Sequence, residues 1–223
     1  MFRAAPAPRV SLSAMLTRRA VTCTLLALLA LTPAVTGCSN AGDSVAVVGD
    51  SITALDESTL KEQLGDRYEL FVTGNFGRTV AEVMPEAEVL AQRDYDQVII
   101  NLGTNDVLKD LDVGTSMDAM RQMIALFDSA ECIHLVNINE HMVVQDSTAA
   151  SRTTQAATFN TALEELATTD RRLSIIDWNE VAAGALDDQD PPVSSLTEDS
   201  IHPTADGNTE LNQLYATALG GCR

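Results

Sequence analysis

Four consecutive small or β-branched apolar residues, Val45-Ala46-Val47-Val48, run directly into Gly49-Asp50-Ser51-Ile52-Thr53. Such a run reads as a buried strand, and the glycine breaks it sharply. In an open α/β sheet, ligands bind and catalytic residues gather at this carboxyl end of a strand. Asp50 and Ser51 occupy that point, ahead of a helical pattern that begins near Asp56. A serine there, beside the amide of a following helical turn, is a candidate nucleophile with a built-in anion site. Gly, Asp and Ser also make ordinary turns and caps. The catalytic reading therefore requires a base, an orienting acid and an oxyanion site from elsewhere in the chain.

The remaining chain alternates strand and helix patterns. Strands are expected over residues 44–48, 68–73, 97–102, 132–138 and 173–177, and helices over 56–64, 78–92, 117–127, 153–168 and 208–219. In 78–92, Val80, Val83, Met84, Ala87 and Leu90 are spaced for one helix face. Strict alternation implies a three-layer α/β/α sandwich on a mostly parallel sheet with right-handed crossovers. Aromatic residues make up only 4% of the chain, so the core is to be built from Val, Ile, Leu and Ala. No linker divides residues 44–223, which read as one domain.

The first 37 residues stand apart. Arg3, Arg9, Arg18 and Arg19 precede an apolar run over residues 20–35, and Val35-Thr36-Gly37-Cys38 follows. A basic start, a short apolar stretch and small residues before a cut describe a secretion signal. The run is short for a membrane span. The tetrad ending at Cys38 resembles a bacterial lipobox, which implies cleavage before Cys38, its lipidation, and a tether over residues 38–43. Arg18-Arg19 matches a twin-arginine signal only partially, and Met15 is an alternative start. The mature protein is thus expected outside the cytoplasm, anchored to the membrane through the lipid on Cys38.

Loss of the four leader arginines, with no acidic residue among them, takes the formal net charge from −18 to −22. A surface this acidic repels phosphate backbones and excludes nucleic acid as a partner, whereas a neutral ester or acylated sugar is compatible with it. Two cysteines, Cys132 and Cys222, remain in the mature domain. In an oxidising compartment they suggest one disulfide closing a loop of about ninety residues; two separate buried thiols are the alternative.

Three further segments each follow a strand. Gly77 lacks a side chain and can bring its amide close to a substrate; Gly74 is a second candidate for that role. Asn105 offers a carboxamide donor for a developing oxyanion. In Asp199-Ser200-Ile201-His202-Pro203, a spacing of three lets Asp199 accept from one imidazole nitrogen while the other faces Ser51.

Together these residues resemble the SGNH (GDSL-type) hydrolase family in four ordered blocks: Gly49-Asp50-Ser51-Ile52, then Gly77, then Gly103-Thr104-Asn105-Asp106, then Asp199-Ser200-Ile201-His202-Pro203. The resemblance implies a five-stranded parallel, flavodoxin-like sheet, with Ser51 as nucleophile, His202 as base and Asp199 as its orienter. It also implies an oxyanion hole from the amides of Ser51 and Gly77 and the side chain of Asn105, and neither metal nor organic cofactor. Block two departs from the common pattern, since the asparagine often seen before its glycine is absent and Arg78 follows Gly77. Gly77-Arg78 is similar to the segment in SGNH domains of cell-wall O-acyltransferases, and Ile176-Asp177-Trp178 points the same way, so acyl transfer competes with hydrolysis.

Other residues carry plainer readings. Asp50 and Asp106 are expected to cap their turns, His134 to pack within a strand, and His141 to sit on a surface loop. Residues 187–190 form an acidic stretch that reads as a solvated turn, not as a calcium loop. Trp178 fits either core packing or a wall of the cleft.

Overall fold

A computed structural model describes residues 42–143 and 149–222. The expected leader, the lipidation site Cys38 and the start of the tether lie outside the described residues.

The chain runs β1 (Ser44–Gly49), α1 (Ser51–Leu64), β2 (Glu69–Gly74), α2 (Val80–Leu90), β3 (Gln97–Asn101), α3 (Thr104–Leu108), α4 (Val113–Leu126), β4 (Cys132–Val136), α5 (Ala149–Ala167), β5 (Leu173–Ile176), α6 (Trp178–Ala183) and α7 (Ala205–Gly221). The five strands pair in the order β2-β1-β3-β4-β5, all parallel. The sandwich expected from the sequence is the one observed. Because the chain leaves β1 for one side and returns to β3 on the other, the strand order reverses between β1 and β3. A crevice opens at the carboxyl ends of two such strands, and the segments carrying Ser51 and Asn105 flank it.

β1 and β3 are central, and side chains alternate between two separate cores. Ala46, Val48, Val98 and Ile100 face α2, α4 and α5, with Met120, Met123, Phe159 and Leu163. Val45, Val47 and Ile99 face α1, α6 and α7, with Leu60, Leu64, Trp178, Leu211 and Tyr215. Every residue of the expected Val45–Val48 run is fully buried. Trp178 is buried in the second core, so it packs the interior and does not wall a cleft. The disulfide between Cys132 and Cys222 joins the start of β4 to the C-cap of α7.

Several boundaries differ from the sequence reading. α1 starts at Ser51 and not near Asp56, because Asp50 caps it by accepting from the Ile52 amide at 3.0 Å and Ile52 is buried. α3 and α6 were not expected. Each is short, and α6 is nucleated by its cap, the Asp177 carboxylate accepting from the Glu180 amide. α4 and α7 extend beyond the stretches where apolar periodicity was clear, α7 starting at a Thr204 cap that accepts from the Gly207 amide.

Candidate active site

Ser51 is the first residue of α1, almost buried, at the carboxyl end of β1. His202 lies in the segment after α6, inside the loop closed by an antiparallel bridge between Thr197 and Pro203 and just ahead of α7. Its Nε2 stands 2.9 Å from Ser51 Oγ, and its Nδ1 stands 2.7 Å from Asp199 Oδ2. A carboxylate can only accept, so Nδ1 carries the proton and Nε2 is left to accept from the serine hydroxyl. The structure therefore brings Ser51, His202 and Asp199 into one relay. The second Asp199 oxygen accepts from the amides of Ile201 (3.0 Å) and His202 (2.8 Å). Burial alone raises this carboxyl, but the bonds from the His202 amide, the imidazole and the Ile201 amide outweigh it and hold it below the ordinary carboxylate range.

Asn105 lies in the first turn of α3, nearly buried. One Nδ2 proton is donated to Asp50 Oδ2 at 2.9 Å. That bond orients the carboxamide, and its second N–H meets no acceptor among the described residues. Asp50 thus caps α1 with one oxygen and aims Asn105 with the other. It is fully buried, and burial pushes its carboxyl up to about 6 even though the Ile52 amide, Asn105 and His202 favour the charged form.

Gly77 lies in the turn between β2 and α2 at φ 68°, in the left-handed region, and a Cβ there would meet no atom within 4 Å. Conformation, not crowding, calls for glycine. Gly74 is the last residue of β2, paired with Gly49, and its α-carbon lies against Ala54. Gly74 thus belongs to sheet–helix packing and Gly77 to the turn. Asp106 ties this turn to α3, accepting from the Val80 amide at the start of α2 at 3.0 Å; Lys109 Nζ bonds Glu82 Oε2 at 2.7 Å across the same pair of helices. Among the described residues no acceptor meets the Ser51 or Gly77 amide. Gly103, the N-cap of α3 at φ 121°, lets the turn after β3 pass over the Phe159 ring, which a Cβ would meet at 2.3 Å.

The remaining polar residues fall outside this arrangement. His134 is buried between Ser174 Oγ (2.7 Å) and Gln97 Oε1 (3.1 Å), away from the carboxyl edge, and burial pushes its imidazole down to about 4. His141 donates its backbone amide to Asn139 Oδ1 at 2.9 Å; its ring makes no hydrogen bond among the described residues. Asp187 closes its own turn by accepting from Gln189 and Val193 amides. Sequence reasoning missed Asn139 and Ser200, whose contacts with the His202 segment are visible only once β4 and the Asp199 turn are adjacent. It also missed Asp56, a buried carboxyl one turn beyond Ser51 whose partner is the Asn212 carboxamide.

Over residues 42–209 the sequence matches the family model described as GDSL-like lipase/acylhydrolase. Among curated proteins there is no match. Solved structures with the same fold include a GDSL-like lipase from Bacteroides thetaiotaomicron (16% identity, 80% of this chain and 88% of that one, TM-score 0.65). An acetylxylan esterase from Geobacillus stearothermophilus is similar as well (17%, 81% and 95%, 0.62). So is the catalytic domain of a peptidoglycan O-acetyltransferase from Streptococcus pneumoniae (19%, 82% and 95%, 0.58).

Proposed function

The chain belongs to the GDSL-like lipase/acylhydrolase family and is a serine ester hydrolase of that type, and we propose that it works through a Ser51–His202–Asp199 triad, outside the cytoplasm, on small acyl groups of glycans or lipids. The observation that carries this reading is the continuous relay from Ser51 Oγ through both imidazole nitrogens to Asp199. Ser51 Oγ attacks the ester carbonyl carbon while His202 Nε2 takes its proton. The oxyanion is met by the Ser51 and Gly77 amides and the free N–H of Asn105. His202 then returns the proton to the departing alcohol, leaving an acyl-serine. Water, deprotonated by the same nitrogen, releases the acid and restores the serine.

The leader pattern and the Cys132–Cys222 disulfide support export to an oxidising compartment, with Cys38 as the lipid anchor. The acidic surface favours a neutral acylated substrate. The test is hydrolysis of a chromogenic ester series, from acetyl to long acyl, by the mature protein and by Ser51→Ala. Turnover that vanishes in the variant supports the triad, and its fall-off with chain length sizes the acyl pocket. Equal turnover by both proteins rejects Ser51 as the nucleophile. A second reading, transfer of the acyl group to a sugar hydroxyl, is favoured by Gly77-Arg78 and by the likeness to the O-acetyltransferase domain. Adding glycan acceptor to the same assay separates the two: a transferase moves acyl to the sugar, an esterase to water.

A further inference from the structure

The acid–base pair of the candidate site is not held in place by its own burial. The side chains of Asp199 and His202 are 54% and 27% exposed. What is buried in this segment is the residue after Asp199. Ser200 is 3% exposed and has φ 68°, the left-handed region that a residue with a Cβ seldom occupies. Its backbone carbonyl accepts from Asn139 Nδ2 at 3.0 Å. Its hydroxyl accepts from the Val143 amide at 2.8 Å and lies 3.3 Å from the Val143 carbonyl, to which it donates. Asn139 is equally buried, and its own oxygen accepts from the His141 amide.

From this geometry we propose that Ser200 and Asn139 are positioning residues for the reaction. They clamp the Asp199–His202 turn to the segment that leaves β4, and so fix where His202 meets Ser51. The inference rests on the triad reading above. The Ser200 hydroxyl and the Asn139 carboxamide are both withdrawn from water; the hydroxyl bonds Val143, and the carboxamide bridges the Ser200 carbonyl and the His141 amide. Buried polar groups with satisfied hydrogen bonds fix a geometry more sharply than apolar packing does. Without the hydroxyl, the strained residue loses the bonds that hold it in the left-handed region, and the turn relaxes. His202 then lies away from Ser51 for part of the time. Ester binding is expected to persist, because the hydrogen bonds of both residues go to protein backbone, while the proton transfer slows.

The variants are Ser200→Ala, Ser200→Gly, Asn139→Ala and Asn139→Asp, assayed on the ester that the parent turns over best, with Ser51→Ala as control. The last variant of the series keeps the acceptor for the His141 amide and loses the donor to Ser200. Ser200→Gly removes the backbone strain together with the hydroxyl, so it carries the test if Ser200→Ala does not fold. We expect kcat to fall about 10- to 100-fold with KM within about twofold. Combining the Ser200 and Asn139 changes should add little beyond either alone. Parent-like kcat in Ser200→Gly and Asn139→Ala would overturn the inference, as would a loss of kcat/KM carried by KM with kcat unchanged. Turnover surviving in Ser51→Ala would instead reject the triad.

Discussion

Asp56 is a carboxyl 1% exposed in the core between α1 and α7, and among the described residues the one side-chain bond it receives is from Asn212 Nδ2 at 3.1 Å. No cation faces it among the described residues. Burial pushes it up from 3.8 to about 7. The Asn212 carboxamide oxygen is buried and has no donor among the described residues. A protonated Asp56 has a hydroxyl to offer that oxygen. Ionisation removes it. The sign follows from linkage: between about pH 4 and 7 the folded state binds the proton that the unfolded state has released, so this group's stabilisation falls as pH rises. The interval from 3.8 to about 7, at about 1.4 kcal/mol for each tenfold change in proton affinity, sets a ceiling of about 4 kcal/mol. Asp56→Asn keeps the size, restores a donor to Asn212 Oδ1 and cannot ionise. Relative to the parent it should be near neutral at pH 4 and stabilising by about 2–4 kcal/mol at pH 8. The assay is urea unfolding of both proteins across pH 4–8, read as their difference. That difference matters because Asp50, raised to about 6, acts in the same direction, while neutral His134, lowered to about 4, adds stability as pH rises through the same range. A difference that stays flat from pH 4 to 8 would refute the reasoning.

Asn105→Ala should lower kcat about 10²–10³-fold while leaving the fold intact; an unchanged rate on the best ester would reject an oxyanion role. Asp199→Asn keeps the turn's shape yet cannot hold the Nδ1 tautomer, so turnover should fall steeply at unchanged melting temperature. A collapse of thermal stability instead would make Asp199 structural. Replacing Cys132 and Cys222 together by Ser opens a loop closed across 90 residues, and urea unfolding should register a loss of up to about 4.5 kcal/mol on the loop-entropy model. Indistinguishable unfolding curves would contradict it.

How far the sequence could be read depended on the kind of constraint each residue answers to. The Val45–Val48 run announced a central strand because its cover on both faces admits no polar residue. α3 and α6 left no such mark: five and six residues are too few to show a period, and a cap at a turn looks like any other Gly or Asp. The first turn of α1 was hidden for the same reason. Distance along the chain was not in itself the obstacle. Ser51 and His202 are 151 positions apart and were paired in advance, because a nucleophile needs a base and the motif blocks that carry them resemble, in order, those of the SGNH family. Asp56 and Asn212, 156 apart, were not. Nothing in the chemistry demands their pairing; it satisfies only the local need of a buried carboxyl. Asn139 and Ser200, 61 apart, stand between these cases. If their clamp sets the rate, they answer to the reaction, but through backbone conformation. A serine in the left-handed region is spelled like any other serine, so a positioning residue of this kind becomes visible only in three dimensions.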